Sequence, residues 1–135
     1  GYEPRNAVDY EGKSKSQFYT KNEVNQWLCF NFKNRKVKPS FYSVRSHACR
    51  SNWYNIQNWV IEGSNDGQTW KTLDTRNGDR SLDGQNYTNT FKIQNNLAQN
   101  EFYQFLRLRQ TGVNTCGNNT LIITSLEFFG IIREF

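Results

Sequence analysis

The chain is patterned in twos. In Trp27–Phe32 (WLCFNF), Leu28, Phe30 and Phe32 fall on one face and Trp27 and Cys29 on the other, which is the alternation of a half-buried strand. The same period predicts strands over Phe41–Arg45, the two arms of Asn58–Arg76, Thr88–Ile93, Phe102–Gln110 and Leu121–Ile132. Nowhere do apolar residues keep a helical spacing for three turns. Polar, turn-rich stretches separate the runs: residues 1–19, 46–58, 77–86, 94–100 and 111–120. Seven or eight short strands divided in this way predict an all-β fold, an antiparallel jelly-roll sandwich with a core made by the apolar faces of two sheets.

The run Asn58–Arg76 (NWVIEGSNDGQTWKTLDTR) is the sharpest local signal. Trp59 and Ile61 alternate with Val60 and Glu62 before the turn, and Trp70, Thr72 and Asp74 alternate with Lys71 and Leu73 after it. Between them Asp66-Gly67 supplies the positive backbone dihedrals of a two-residue hairpin turn. Lys33–Lys38, followed by Pro39, reads as a basic turn that separates the first strand from the next.

At 135 residues the chain fits one domain, residues 1–135, large enough for a real core without staples. It starts at Gly1 and contains no Met, so we expect a segment of a longer protein. The net charge of +5 comes from scattered basic residues rather than a run, which argues against nucleic acid as a partner. No apolar run is long enough to span a bilayer: Leu121–Ile132 is interrupted by Thr124, Ser125 and Glu127. Three cysteines, Cys29, Cys49 and Cys116, make an odd count that does not suit a disulfide framework. Free thiols fit a reducing compartment, and the expected location is intracellular rather than secreted. The glycosylation triplets at Asn86 and Asn118 are the kind that an Asn-rich chain forms by chance.

Five stretches taken together resemble a known family. QWLCFNFK (Gln26–Lys33), YSVRS (Tyr42–Ser46), WVIEGSNDGQTW (Trp59–Trp70), FLRLRQTG (Phe105–Gly112) and LIITSLEFFG (Leu121–Gly130) are similar, in order and spacing, to the discoidin family. This is the C-type domain of coagulation factors five and eight, a jelly roll related to galactose-binding domains and family-32 carbohydrate-binding modules. EGSNDG, RLRQTG and LEFFG look most like the subgroup found in intracellular multi-domain proteins, often beside BTB domains. Asn31 stands where many members carry Asp, and the cysteines that tie the ends of secreted members are absent.

The resemblance implies ligand binding by loops at one end of the sandwich, here Asp9–Tyr19, Asn22–Asn25, Ser46–Asn58 and Thr111–Thr120. The candidate ligand-binding residues are His47, Arg50, Trp53 and Tyr54, with Lys13, Lys15, Tyr19 and Asn22. A planar cation, an imidazole and two amphipathic rings suit a sugar face, and Trp, Tyr and Arg are equally the favoured residues of protein hot spots. The bland alternative is that Trp53 and Tyr54 pack the loop onto the scaffold. The resemblance also implies a candidate structural calcium held by Asp9 and Glu127, with no cofactor required.

Other chemistry is poorly served. His47 and Cys49 lie two apart, but with Cys29 and Cys116 they match no zinc spacing. His47 is the sole histidine available to activate a nucleophile. Asp66, Asp74, Asp79 and Asp83 read as turn residues rather than a hydrolytic pair. The expected function is therefore a non-catalytic recognition module that binds a protein partner or a glycan. The alternatives are an extracellular lectin or anionic-phospholipid-binding adhesion domain, in which a membrane surface is the partner, and a targeting domain appended to an enzyme.

Overall fold

The computed structural model describes residues 18–47, 50–85 and 87–134. The described residues form nine strands and no helix: β1 (Phe18–Tyr19), β2 (Trp27–Asn31), β3 (Arg35–Arg45), β4 (Trp59–Ser64), β5 (Lys71–Arg76), β6 (Thr88–Lys92), β7 (Phe105–Gln110), β8 (Ile122–Ile123) and β9 (Ser125–Glu134). A four-stranded sheet of order β2-β7-β4-β5 faces a three-stranded sheet of order β6-β3-β9, and β1-β8 forms a short ribbon. All strand pairs are antiparallel. This is the sandwich that the alternation predicts. Leu28, Phe30, Trp59, Ile61, Leu106 and Leu108 from one sheet close on Tyr42, Val44, Phe91 and Leu126 from the other.

Four features differ from the sequence reading. The predicted basic turn at Lys33–Lys38 is mostly strand: the chain turns earlier, where Arg35 N–H bonds the Phe32 carbonyl at 3.2 Å and Lys33 takes a φ of 60°. Val37 and Pro39 then point inward while Lys36 and Lys38 stay at the surface. The register slips between Pro39 and Phe41, and a proline, which has no N–H to give, belongs at such a bulge.

The hairpin is the second difference. β4 and β5 are joined by residues 65–70, not by a two-residue turn. The Ser64 hydroxyl accepts from Asp66 N–H and Gly67 N–H, and the Asp66 carboxylate accepts from Gln68 N–H (2.8 Å) and Thr69 N–H (2.7 Å). The backbone bonds from Thr69 and Gln68 hold the Asp66 carboxyl well below the usual range. Gly67 does adopt the positive φ, +73°, but Trp70 is displaced from the strand.

Third, the predicted final strand is broken at Thr124, whose N–H and hydroxyl turn to the Arg45 and Ser46 carbonyls. Asp74 also departs from its turn reading. It lies in β5, 1% exposed, and accepts from the Tyr42 hydroxyl, Arg76 Nε (3.0 Å) and Gln94 N–H (3.0 Å). Trp59 Nε1 donates to the same Tyr42 oxygen at 2.9 Å. Burial and the Asp74 bond together push the Tyr42 hydroxyl far above its ordinary pKa, so the hydroxyl keeps its proton and donates it to Asp74.

The outer face of the larger sheet carries a second network. Glu62, 6% exposed, accepts from Arg107 Nε and Arg109 Nε, each at 2.9 Å. The Arg107 guanidinium lies 3.8 Å from the centre of the Trp70 ring. With the strand directions alternating, residues 20–26, 50–58, 77–85 and 111–121 gather at one end of the sandwich.

Candidate functional site: the loop end

The loops at this end are tied to one another by side chains, because segments without a ladder must find partners for their backbone groups elsewhere. Asp83 is the main anchor of the 46–58 segment. Its Oδ1 accepts from Asn52 N–H (2.6 Å) and Asn55 Nδ2 (2.9 Å), and Arg80 bridges the same carboxylate to the Asn52 side chain. Burial works to raise the Asp83 pKa, but the bonds from Asn52, Asn55 and Arg80 outweigh it and hold the carboxyl below its ordinary value. Ser46 closes the base of the loop, donating to the Gly84 carbonyl at 2.7 Å and accepting from Tyr87 N–H at 2.8 Å.

Asparagines join the remaining loops. Asn55 is fully buried and connects to Thr115 through backbone and hydroxyl. Asn58 Nδ2 donates to the Val113 carbonyl at 3.0 Å while its Oδ1 accepts from Gly78 N–H at 2.8 Å. Asn114 folds its own loop, accepting from Cys116 N–H and donating to Asn118 and Thr120. Asn22 Oδ1 accepts from Asn119 N–H at 2.8 Å.

Arg50, Trp53 and Tyr54 come together at the tip of this braced loop. The Arg50 guanidinium sits 4.7 Å from the centre of the Trp53 ring. Trp53 and Tyr54 pack edge to face at 5.2 Å, and Asn52 and Tyr54 take left-handed φ values of 58° and 61°. Trp53 remains 40% exposed. His47 behaves differently. It is buried, and its Nε2 donates to the Trp53 carbonyl at 2.7 Å. Burial lowers its pKa below the ordinary imidazole range, so it positions the loop from beneath as a neutral ring.

The other predicted residues scatter. Tyr19 is 70% exposed on β1, opposite Ile122, and Asn22 is spent on Asn119. Glu127 lies on β9 opposite Ser43 and lines a cleft whose other walls are Phe30, Phe32 and Phe128. Lys13, Lys15, Asp9, Cys49 and Asn86 lie outside the described residues. Among the described residues, no three His, Cys, Asp or Glu side chains converge as a metal site would require. Asp66 and Asp79 cap local turns, Asp79 accepting from Ser81 N–H at 2.9 Å. The anchors Arg80, Asp83 and Asn55 escaped the sequence reading. Asp83-Gly84 signals a turn, but nothing in the linear order shows that the turn braces a loop thirty residues upstream.

Two antiparallel sheets stacked as a sandwich, with the loops gathered at one end, make this a galactose-binding-like β-sandwich. Within that class, the chain belongs to the F5/8 type C domain family, whose model matches residues 1–124. Among solved structures it is similar to CBM32-3 from a family 31 glycoside hydrolase of Clostridium perfringens, with a TM-score of 0.68 and 17% identity over 96% of this chain and 83% of that one. A CBM32-5 module from the same organism, in complex with GalNAc-beta-1,3-galactose, superposes with a TM-score of 0.65 and 17% identity over 89% of this chain and 79% of that one. At such identities the likeness is one of fold. Among curated proteins, the Drosophila melanogaster E3 ubiquitin-protein ligase Ufd4 is 30% identical over 113 residues, which is 83% of this chain and 4% of that protein. The chain therefore spans a small fraction of the length of that relative.

Proposed function

We propose that the domain is a non-catalytic recognition module that docks a protein partner on its loop end, with Arg50, Trp53 and Tyr54 as anchors. The observation that carries this reading is the Arg50–Trp53–Tyr54 stack, held on a loop that Asp83 fixes from one side and His47 from beneath. These are the side chains that dominate protein hot spots, and their immobilisation before binding reduces the entropy lost on docking. An intracellular setting is consistent with the thiols. Cys116 is exposed and unpaired, and burial raises the Cys29 thiol to about 11, so that it stays protonated. The similarity to a segment of a ubiquitin ligase supports a module that brings a partner to a larger chain.

A glycan is the second reading, favoured by the sugar-bound CBM32 relative. Two measurements separate them. Photo-crosslinking from cytosol, with the reactive group placed at the exposed Val113, should yield discrete protein adducts that Trp53→Ala and Tyr54→Ala reduce at least about tenfold, the loss expected of a hot-spot residue. Adducts unchanged by both substitutions in a folded domain would remove the site. A glycan array with hits that Trp53→Ala abolishes would put the sugar reading first.

A further inference from the structure

The strand β9 presents an edge that the loop end does not use. Among the described residues it pairs with β3 alone, so alternate N–H and C=O groups along its other side have no ladder partner. Both faces of this edge carry exposed apolar side chains. Phe129 and Ile131 share the outer face, 46% and 57% exposed, and Ile132 is 62% exposed on the inner side. There Phe128 and Ile132, with Phe32 and Val37, line a cleft of about 370 Å³. A long apolar edge strand is a template for association unless something covers it.

The sequence of β9, SLEFFGIIRE, is complementary to itself about Gly130. In an antiparallel pair, opposite residues share a face. Two copies related by a two-fold axis through Gly130 set Phe129 opposite Ile131, Phe128 opposite Ile132 and Glu127 opposite Arg133. A slip of two residues, the smallest that keeps the faces in place, sets Glu127 against Ile131 or Arg133 against Phe129. Only the register centred on Gly130 matches charge with charge and apolar with apolar. The end pair of Leu126 with Glu134 is the one mismatch, and Glu134 already leans toward Arg35 at 3.6 Å.

We propose that β9 is a homodimer seam, in which two chains pair edge to edge about Gly130 into one continuous sheet of six strands, β6-β3-β9 from each. Lys36, Lys38 and Lys92 lie on β3 and β6, one or two strands back from the seam. Arg133 rests over the buried Phe102 ring at 4.2 Å in the single chain, and dimerisation sets its guanidinium opposite the carboxylate of Glu127.

Sedimentation equilibrium of the 135-residue chain over a wide concentration range tests this. The wild type should associate reversibly to a dimer. Glu127→Arg and Arg133→Glu should each weaken it by about tenfold, since each places like charges opposite at both symmetric sites. The double variant E127R/R133E should recover wild-type association, and an equimolar mixture of the two single variants should form a heterodimer of similar strength. A chain monomeric throughout overturns the proposal, as does a dimer indifferent to the charge reversals. A chain that dimerises only after residues 1–17 are removed would assign the edge to that segment and overturn it too.

Discussion

Glu62 lies at the centre of a strand with neighbours on both sides, where a carboxylate is costly to bury. Burial pushes its pKa upward, but the bonds from Arg109 and Arg107 outweigh this and leave the carboxyl below its ordinary value. The pair has a further constraint, because Trp70 covers the Arg107 guanidinium and so fixes where it donates. Glu62→Gln leaves two arginines facing a neutral amide. Because both arginines keep some access to water (16% and 26% of their side chains), the loss falls below that of a fully buried pair, at about 2 kcal/mol, read as a lower midpoint in urea at pH 7. Residue type alone singles out Arg50, Trp53 and Tyr54 in the sequence, and the structure stacks the three side chains together. His47 was not legible in this sense. Its type suggests a ligand contact, whereas its direction, inward to the Trp53 carbonyl, depends on how a polar loop folds back on itself.

At the scale of elements, the hairpin shows both the strength and the limit of local patterning. Asp66-Gly67 marks the turn correctly, because positive φ is a property of the residue. The loop length is decided by Ser64 and Asp66, whose side chains capture four backbone N–H groups and keep residues 65–70 out of the ladder. The reading of Lys33–Lys38 failed for a related reason: cations alternating on the outer face of a long strand look like a charged turn when the partner strand lies far along the chain, Lys36 opposite Arg133 and Lys38 opposite Ile131. β4 contains a further element-level constraint at Gly63, where a Cβ would meet the Tyr103 ring at 2.7 Å. Gly63→Ala should destabilise the domain by about 1–3 kcal/mol through overpacking, measured by thermal or urea unfolding. In the Tyr103→Leu background the same substitution should cost clearly less, and equal costs in both backgrounds would show that the ring is not the cause.

For the molecule as a whole, the sandwich was legible because seven alternating runs leave little else to build, but sheet order was not, since it depends on pairings between distant segments. The same assembly sets the acid response. Glu62 and Asp83 have folded pKa values below their ordinary ones. The unfolded chain therefore binds protons first, so their contribution to stability is present above the ordinary carboxylate pKa of about 4 and is lost as pH falls through their folded values. The unfolding midpoint should hold steady from neutral pH down to about 5 and then drop, with Glu62→Gln flattening part of the drop. Sheet order also governs how the chain must fold. Of the strand pairs in the two main sheets, β4 with β5 is the one between sequence neighbours, while β2 waits for β7 and β3 for β9. A topology so dominated by long-range pairing belongs to the slow-folding class, in which loop closure must occur before contacts reward it. During synthesis the hairpin can form first, but β3 meets its first partner only at β6 and its second only at β9, so the backbone N–H and C=O groups on that second side stay bonded to water until β9 emerges.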